Sequence, residues 1–258
     1  MNGEQARYGE SRLPLIHWSA EATRYGGYRL EATEASGLLV GMVPHGARVL
    51  DVGCGDGTMS VMLRDHRNAT VVGLEPNPER AAAALARGLT VLQTELNWSV
   101  IGQTSEFDVV LFADVLEHMT DPLAALEAAS RMLLPGGVVV ASVPNVAHWT
   151  VRLNLLRGRF DYSEVGIMDS THLRWFTRAS FLRLFEAAGY SVVEARATTG
   201  LWVWDYKCRW PWRWFSDSRR EWIVQRAAAK WPTLFGYQHI VKAVPRKLAA
   251  GNVTDGGR

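Results

Sequence analysis

The chain has 258 residues, 48% of them hydrophobic and 21% charged, a composition that fits one α/β core with additions and excludes a largely disordered chain. Its net charge of +2 gives no electrostatic case for a nucleic-acid partner, which we therefore do not expect. Two cysteines are too few for a disulfide framework, and no signal core or bilayer-spanning apolar run is apparent, so we expect a cytoplasmic protein.

Strand and helix patterns alternate from residue 48 onward, after an N-terminal segment (1–45) that we expect to form a helical cap ending in a helix over residues 31–43. Alternation of this kind predicts a parallel sheet. Asn77 and Asp121 each precede a proline, which is typical of a capped helix start. The predicted strands are 48–52, 70–74, 90–94, 107–112 and 137–143, and the predicted helices are 57–66, 78–86 and 122–133.

Further along, a helix is predicted over residues 178–188, followed by a strand over 190–197 and a last strand over 237–244. The predicted organisation is therefore a core over 46–199, an insertion over 200–235, a final core strand within 236–246 and a tail over 247–258 that we expect to be disordered.

Glycine occupies every second position in the loop after the first strand, at Gly53, Gly55 and Gly57. Glycine costs chain entropy, so this spacing predicts positive φ angles or a ligand lying close against the backbone. A dinucleotide fingerprint would place its third glycine three residues after the second, where this chain has Thr58. The next strand ends in Glu75, whose carboxylate is placed to accept hydrogen bonds from both ribose hydroxyls of a nucleoside.

The stretch 51–57 resembles motif I of the class I S-adenosylmethionine (SAM) dependent methyltransferases, and the stretches 107–118 and 133–145 resemble their fourth strand and the turn into their fifth. This resemblance implies an α/β fold: a Rossmann-like, seven-stranded, mostly parallel sheet with helices on both faces and an antiparallel last strand. The implied cofactor is SAM. The implied cofactor-binding residues are Asp51, Gly53, Cys54, Gly55, Gly57, Glu75, Pro76, Glu95, Ala113 and Asp114.

A second resemblance concerns a divalent cation. Asp114, Glu117 and His118 match the positions at which the ubiquinone-pathway O-methyltransferases hold such an ion. The same Leu-Glu-His piece also occurs in relatives without metal, where it braces the loop. A divalent metal is therefore an open alternative that the sequence does not favour.

Three histidines are predicted near the carboxyl edge of the sheet: His118, His148 and His172. A hydroxyl is a poor methyl acceptor unless its proton leaves during attack, and a positioned base contributes about 10² to 10⁴ in rate. We predict His148 or His172 as this base, with Asp169 as the partner of His172. The alternative for each histidine is a hydrogen-bonded loop anchor.

The insertion is rich in tryptophan and arginine. Seven of the eleven tryptophans lie within residues 202–231, together with seven Lys or Arg and three Asp or Glu, a local balance of +4. We expect this insertion to be α-helical. Its tryptophans could bury against the core as a cap, stack on sugar CH groups, contact a membrane surface peripherally or stack on nucleobases, and these readings stay open.

These patterns together predict a SAM-dependent methyltransferase that makes a methyl ether on a hydroxyl of a sugar, glycolipid or natural product. The acceptor class comes from segment 144–177, which resembles bacterial methyltransferases of glycan and secondary-metabolite assembly. The alternatives are an RNA methyltransferase that uses the Trp/Arg insertion and a SAM-binding scaffold without turnover.

Overall fold

The structure is a computed structural model that describes residues 33–96, 106–201, 206 and 212–246. Most of the predicted N-terminal cap and the whole tail lie outside these residues. So do Cys208 and three tryptophans of the insertion, Trp202, Trp204 and Trp210.

Seven strands form one sheet in the order β3-β2-β1-β4-β5-β7-β6. The strands β1 to β5 are parallel to one another, and β7 runs antiparallel to both of its neighbours, β5 and β6. The predicted fold class is therefore confirmed. The strands are β1 Arg48–Val52, β2 Thr70–Leu74, β3 Thr90–Leu92, β4 Phe107–Ala113, β5 Leu133–Pro144, β6 Tyr190–Ala197 and β7 Gln238–Pro245.

The helices begin where the sequence places capping groups. The Asn77 side chain accepts hydrogen bonds from the backbone N–H groups of Glu79 and Arg80, and the Asp121 side chain accepts one from Ala124, so both predicted starts are confirmed. The helices are α1 Ala35–Met42, α2 Thr58–Arg67, α3 Pro78–Ala86, α4 Pro122–Met132, α5 Trp149–Leu156, α6 Arg178–Ala187, α7 Asp217–Lys230 and α8 Pro232–Phe235.

Both faces of the sheet are covered by helices. Alternate residues of a strand point to opposite faces, and accordingly Val110 and Phe112 of β4 belong to one apolar cluster while Val109 and Leu111 belong to another. Helices α4 and α6 pack on one face, and α1 and α2 pack on the other. Burial on both sides explains the near-continuous apolar sequence of β4 and β5.

Two strand boundaries differ from the predicted ones. β5 begins at Leu133 rather than 137, because Leu133 pairs with Phe107 before a bulge shifts the register to Val109 and Val138. β3 ends at Leu92 rather than 94, because the backbone N–H of Thr94 donates to the Leu92 carbonyl and turns the chain away. The carboxyl ends of β1, β2, β4 and β5 meet at one edge of the sheet, where the candidate site lies.

Candidate functional site

The glycine loop leaves β1 with its backbone in the left-handed region. Gly53, Gly55 and Gly57 have φ angles of 70°, 58° and 81°, as the alternating spacing predicts. A Cβ atom at Gly53 would crowd Val115, and one at Gly57 would overlap Leu89, whereas a Cβ at Gly55 would meet no atom within 4 Å. Gly53 and Gly57 are therefore needed for packing, and Gly55 is the position where bare backbone faces open space.

Glu75 holds this loop in place. The carboxylate is 4% exposed, and its Oε2 accepts a hydrogen bond of 2.9 Å from the Gly55 N–H while its Oε1 accepts one of 2.9 Å from the Asn77 N–H. Each carboxylate oxygen can accept more than one hydrogen bond. Glu75 can thus bind a pair of ribose hydroxyls with its orientation already fixed.

We expect Gly55→Ala to weaken SAM binding by at least about tenfold, or 1.4 kcal/mol, because the added methyl group occupies the space along which we expect the nucleoside to lie. Gly46→Ala is the matched control. Gly46 also has positive φ and open space around its Cβ, but it lies before β1, at the opposite edge of the sheet. Both variants should lose similar stability, about 1 kcal/mol. If calorimetry gave equal SAM affinities for Gly55→Ala and Gly46→Ala, the placement of the nucleoside against Gly55 would be wrong.

Asp51, near the end of β1, is buried beneath the loop. Burial raises its pKa to about 7, while a 2.6 Å hydrogen bond from the Ser60 hydroxyl lowers it and the charge of Glu75 raises it further. The folded protein therefore favours the protonated carboxyl, although the unfolded chain releases the proton near 3.8.

This pKa predicts a pH dependence of stability. The contribution of Asp51 to the free energy of unfolding is fully present below about pH 4. It is lost as the pH rises towards 7, because the carboxyl ionises at lower pH in the unfolded chain than in the folded protein. Asp51→Asn cannot titrate, so its free energy of unfolding should not fall in this way. We therefore expect the free energy of unfolding of the variant, relative to that of the wild type, to rise by up to about 4 kcal/mol between pH 4 and pH 7. Denaturant unfolding at pH 4 to 8 measures it, with Asp161→Asn as the control for loss of a surface carboxylate. If the free energies of unfolding of Asp51→Asn and the wild type differed by the same amount at every pH, this prediction would be wrong.

The other predicted cofactor-side residues occupy the same edge. Cys54 is buried with its thiol against Gly73, and burial raises the thiol pKa, so the group stays protonated and serves as a small packing residue. Pro76 and Glu95 are exposed after β2 and β3, and Ala113 is half-buried at the end of β4. Their contacts with SAM stay predictions.

Asp114, which follows β4, is hydrogen-bonded to side chains of β5 and β7. Its Oδ1 accepts a 2.8 Å hydrogen bond from the Ser142 hydroxyl of β5, and its Oδ2 accepts one of 2.6 Å from the Gln238 amide of β7. Burial raises its pKa to about 6, against the lowering effect of these two hydrogen bonds. Its φ angle is +54°, an uncommon value for a residue other than glycine. The carboxylate is thus held firmly beside the end of β4.

Glu117, His118 and His172 form a polar cluster just beyond β4. One potential ligand atom from each residue lies within 4.8 Å of the others, and the two imidazole centroids are 4.8 Å apart. Glu117 is 1% exposed, and neither carboxylate oxygen has a hydrogen-bond partner among the described residues. Burial raises the pKa of Glu117 well above its ordinary value, and the charges of Asp114 and Asp169 raise it further.

The backbone brings the two parts of this cluster together. The Glu117 carbonyl accepts hydrogen bonds of 2.8 and 2.9 Å from the N–H groups of Leu173 and Arg174. His118 Nδ1 lies 3.2 Å from the Thr171 carbonyl, and His172 Nδ1 lies 3.2 Å from the Ile167 carbonyl. Because a carbonyl only accepts, each Nδ1 carries a proton in these contacts, and in a neutral ring the lone pair is then on Nε2.

His148 has surroundings unlike those of His172. It is 0% exposed, its Nδ1 lies 2.8 Å from the Thr150 hydroxyl, and its Nε2 lies 3.1 Å from the Tyr206 hydroxyl, which also accepts from Trp149 Nε1. Burial lowers the pKa of His148 to about 3, and the nearby His239 lowers it further. Both ring nitrogens are within hydrogen-bonding distance of hydroxyls of the protein, as expected for a hydrogen-bonded loop anchor. The predicted role of His148 as base finds no support in this geometry.

Asp169 shapes the turn that carries His172. It is fully buried, and its Oδ1 accepts hydrogen bonds from the backbone N–H and the hydroxyl of Thr171, at 2.8 and 2.7 Å. The His172 N–H donates to the Asp169 carbonyl at 3.1 Å. Asp169 therefore positions His172 through the backbone, and direct pairing of their side chains stays a prediction.

The described part of the insertion is mainly helical. Val224, Ala227 and Ala228 of α7 are buried, and Tyr206 packs against His148. Three tryptophans are more than half exposed: Trp214, Trp222 and Trp231. Arg226 lies over the Trp222 ring and Lys230 over the Trp231 ring, at 4.6 and 4.8 Å. Among the described residues, no helix is long and apolar enough to cross a bilayer.

Comparisons with known sequences identify the chain as similar to methyltransferases. A family model described as "Methyltransferase domain" matches residues 28–195, more than half of the chain. The protein from Psychrobacter cryohalolentis named "Ubiquinone biosynthesis O-methyltransferase" is 36% identical over 138 residues, which cover 46% of this chain and 53% of that protein. The chain thus matches about half the length of this curated relative.

Solved structures show the same fold. A SAM-dependent methyltransferase from Mesorhizobium loti superimposes with a TM-score of 0.56 at 18% identity, covering 81% of this chain and 97% of that one. The 1,6-didemethyltoxoflavin-N1-methyltransferase of Burkholderia thailandensis, solved with S-adenosylhomocysteine (SAH), gives 0.51 at 17% identity and covers 82% and 76%. With the glycine loop, the acid after β2 and the family match over most of the core, the chain belongs to the methyltransferase-domain family of class I, SAM-dependent enzymes.

Proposed function

We propose that this enzyme transfers the methyl group of SAM to a hydroxyl oxygen of a sugar, glycolipid or natural product, and that the hydroxyl is activated at the cluster of Glu117, His118 and His172. One observation carries the proposal: a fully buried carboxylate without a hydrogen-bond partner among the described residues stands beside two imidazoles at the end of β4. A buried carboxylate in that condition is costly unless a ligand or a proton compensates it.

The relatives support oxygen as the methylated atom. Their printed name is that of an O-methyltransferase, although they match over only about half of their length. The absence of an Asn/Asp-Pro-Pro-aromatic motif after β4 lowers the case for adenine or glutamine amino groups. A hydroxyl is the acceptor that most needs a polar cluster of this kind, because its oxygen becomes a good nucleophile only as the proton leaves.

The cluster and the cofactor edge are suited to one reaction geometry. Methyl transfer is an in-line displacement: the acceptor oxygen attacks the methyl carbon on the side opposite the sulfur, and the carbon–sulfur bond breaks. Alignment of these atoms and exclusion of water therefore supply much of the rate. Asp114, held by hydrogen bonds from Ser142 and Gln238, lies in the chain between the end of β4 and the turn that carries Glu117. An acceptor oxygen bound at the cluster would lie beside the Glu117 carboxyl group and the imidazoles of His118 and His172.

The acceptor class is supported by three aromatic rings in the loop that carries His172. The rings of Phe160, Tyr162 and Trp175 lie 5.7 to 6.0 Å apart, and Phe160 and Tyr162 are 48% and 44% exposed. An exposed aromatic surface of this kind suits the apolar CH face of a sugar or the flat ring of a natural product.

The test is to incubate the enzyme with SAM labelled in its methyl group and with cell extract fractionated into glycans, lipids, small metabolites and RNA. Mass spectrometry then locates the label. A methyl ether on a glycan, lipid or small metabolite supports the proposal. Label in RNA, label on nitrogen or carbon, or binding of SAM without transfer to any fraction would overturn it.

A further inference from the structure

The side chains of this cluster are of the types that bind metal ions in proteins. Two imidazoles and one carboxylate converge from separate parts of the chain: Glu117 and His118 from the turn after β4, and His172 from the loop between α5 and α6. Two histidines and one carboxylate are a frequent ligand set for divalent transition metals, with further positions left for other ligands.

We propose that Glu117, His118 and His172 bind one divalent transition-metal ion, and that His172 rather than Asp114 is the third protein ligand. The set implied by the resemblance has Asp114 in that place, but Asp114 is not among the residues whose potential ligand atoms lie within 4.8 Å of one another. The Asp114 carboxylate is held by Ser142 and Gln238, whereas both oxygens of Glu117 are without hydrogen-bond partners among the described residues. A carboxylate that is 1% exposed and has no hydrogen-bond partner among the described residues favours a bound cation at this position.

The outer contacts of the histidines fit metal binding. Histidine ligands usually donate the N–H of the other ring nitrogen to a carbonyl or carboxylate, which fixes the ring and its tautomer. Here His118 Nδ1 and His172 Nδ1 each lie 3.2 Å from a backbone carbonyl, so each ring would coordinate the ion through its Nε2 atom. Thr171 also contacts His118 Nδ1, at 3.3 Å, and its hydroxyl donates to the buried Asp169.

The donor types select the kind of ion. Mg²⁺ prefers oxygen ligands and retains several waters, whereas imidazole favours Zn²⁺, Co²⁺ and other first-row ions. A bound ion of this kind would lower the pKa of a hydroxyl coordinated to it and so make that oxygen a better nucleophile. That role rests on the proposed function, but binding of the ion does not depend on the identity of the acceptor.

Co²⁺ is the probe, since it binds such sites and has visible absorption bands that report its ligands. The intact enzyme is stripped with a chelator, dialysed and titrated with Co²⁺ by calorimetry and by absorption, without SAM or acceptor. We expect one Co²⁺ per chain in the wild type and in Asp114→Asn, and at least about 10-fold weaker binding in His172→Ala and Glu117→Gln. His66→Ala, at an exposed histidine, is the control for surface binding.

A cooperative unfolding transition in each variant, as in the wild type, shows that the fold survives, and Glu117→Gln provides a second ligand variant of nearly unchanged shape. No Co²⁺ binding to the folded wild type, equal binding by His172→Ala, or loss in Asp114→Asn alone would overturn the inference. Because acceptor is left out, a failure here is distinct from a failure of the labelling experiment. Methyl transfer to a hydroxyl that is insensitive to chelators would leave the proposed function standing and overturn the activating role of the ion.

Discussion

Replacing His172 by asparagine is expected to lower kcat for methyl transfer by about 10² to 10⁴-fold, the range for loss of a group that assists removal of a proton. Asparagine retains an N–H that can donate to the Ile167 carbonyl, so the loop should keep its shape. SAH binding should be unchanged, because the glycine loop and Glu75 are untouched. Steady-state kinetics with the labelled acceptor and calorimetry with SAH separate these two effects.

His148→Asn is the matched comparison, because His148 is also buried but is surrounded by the Thr150 and Tyr206 hydroxyls. We expect this variant to lose about 1 to 3 kcal/mol of stability through unsatisfied buried polar groups. Its folded fraction should retain kcat within a few-fold. A large loss of kcat in His148→Asn, together with an unaffected His172→Asn, would reverse our assignment.

Replacing Glu75 by glutamine is expected to weaken SAM binding by about 100-fold. Two charge-assisted hydrogen bonds to the ribose would be lost or weakened, each contributing about 1.5 to 3 kcal/mol, and the amide N–H₂ would oppose the N–H of Gly55 or Asn77. The affinity is measured by calorimetry with SAM and with SAH. The loss should be the same for both ligands, because they share the ribose.

Glu79→Gln is the control for this substitution, since Glu79 is an exposed acid in the first turn of α3, four residues away. Its SAM affinity should equal that of the wild type. If Glu75→Gln bound SAM as tightly as Glu79→Gln does, Glu75 would be a support of the loop and not a contact of the cofactor.

Much of the sheet could be predicted because its signals are local. The apolar stretches of β1, β2 and β4, the prolines after Asn77 and Asp121, and the alternating glycines depend on neighbours along the chain. The sequence predicts a later start for β5, because Pro135, Gly136 and Gly137 break the local pattern, although Leu133 already pairs with Phe107 before a bulge.

The site was harder to predict because its residues meet only in three dimensions. The sequence predicts Glu117 and His118 as neighbours, but nothing local shows that His172 joins them or that Gln238 of β7 reaches Asp114. Ser142, at the carboxyl end of β5, could have been predicted from its position alone. The burial of His148 depends on Tyr206, which lies 58 residues away in the chain.

The most direct measurement is a crystal structure of the enzyme with SAH. The account predicts the nucleoside across Gly55 with its ribose on Glu75, and the sulfur within about 8 Å of His172 Nε2, which leaves room for one acceptor oxygen between them. A sulfur that points away from Glu117, His118 and His172, or a cofactor that avoids the glycine loop, would contradict it.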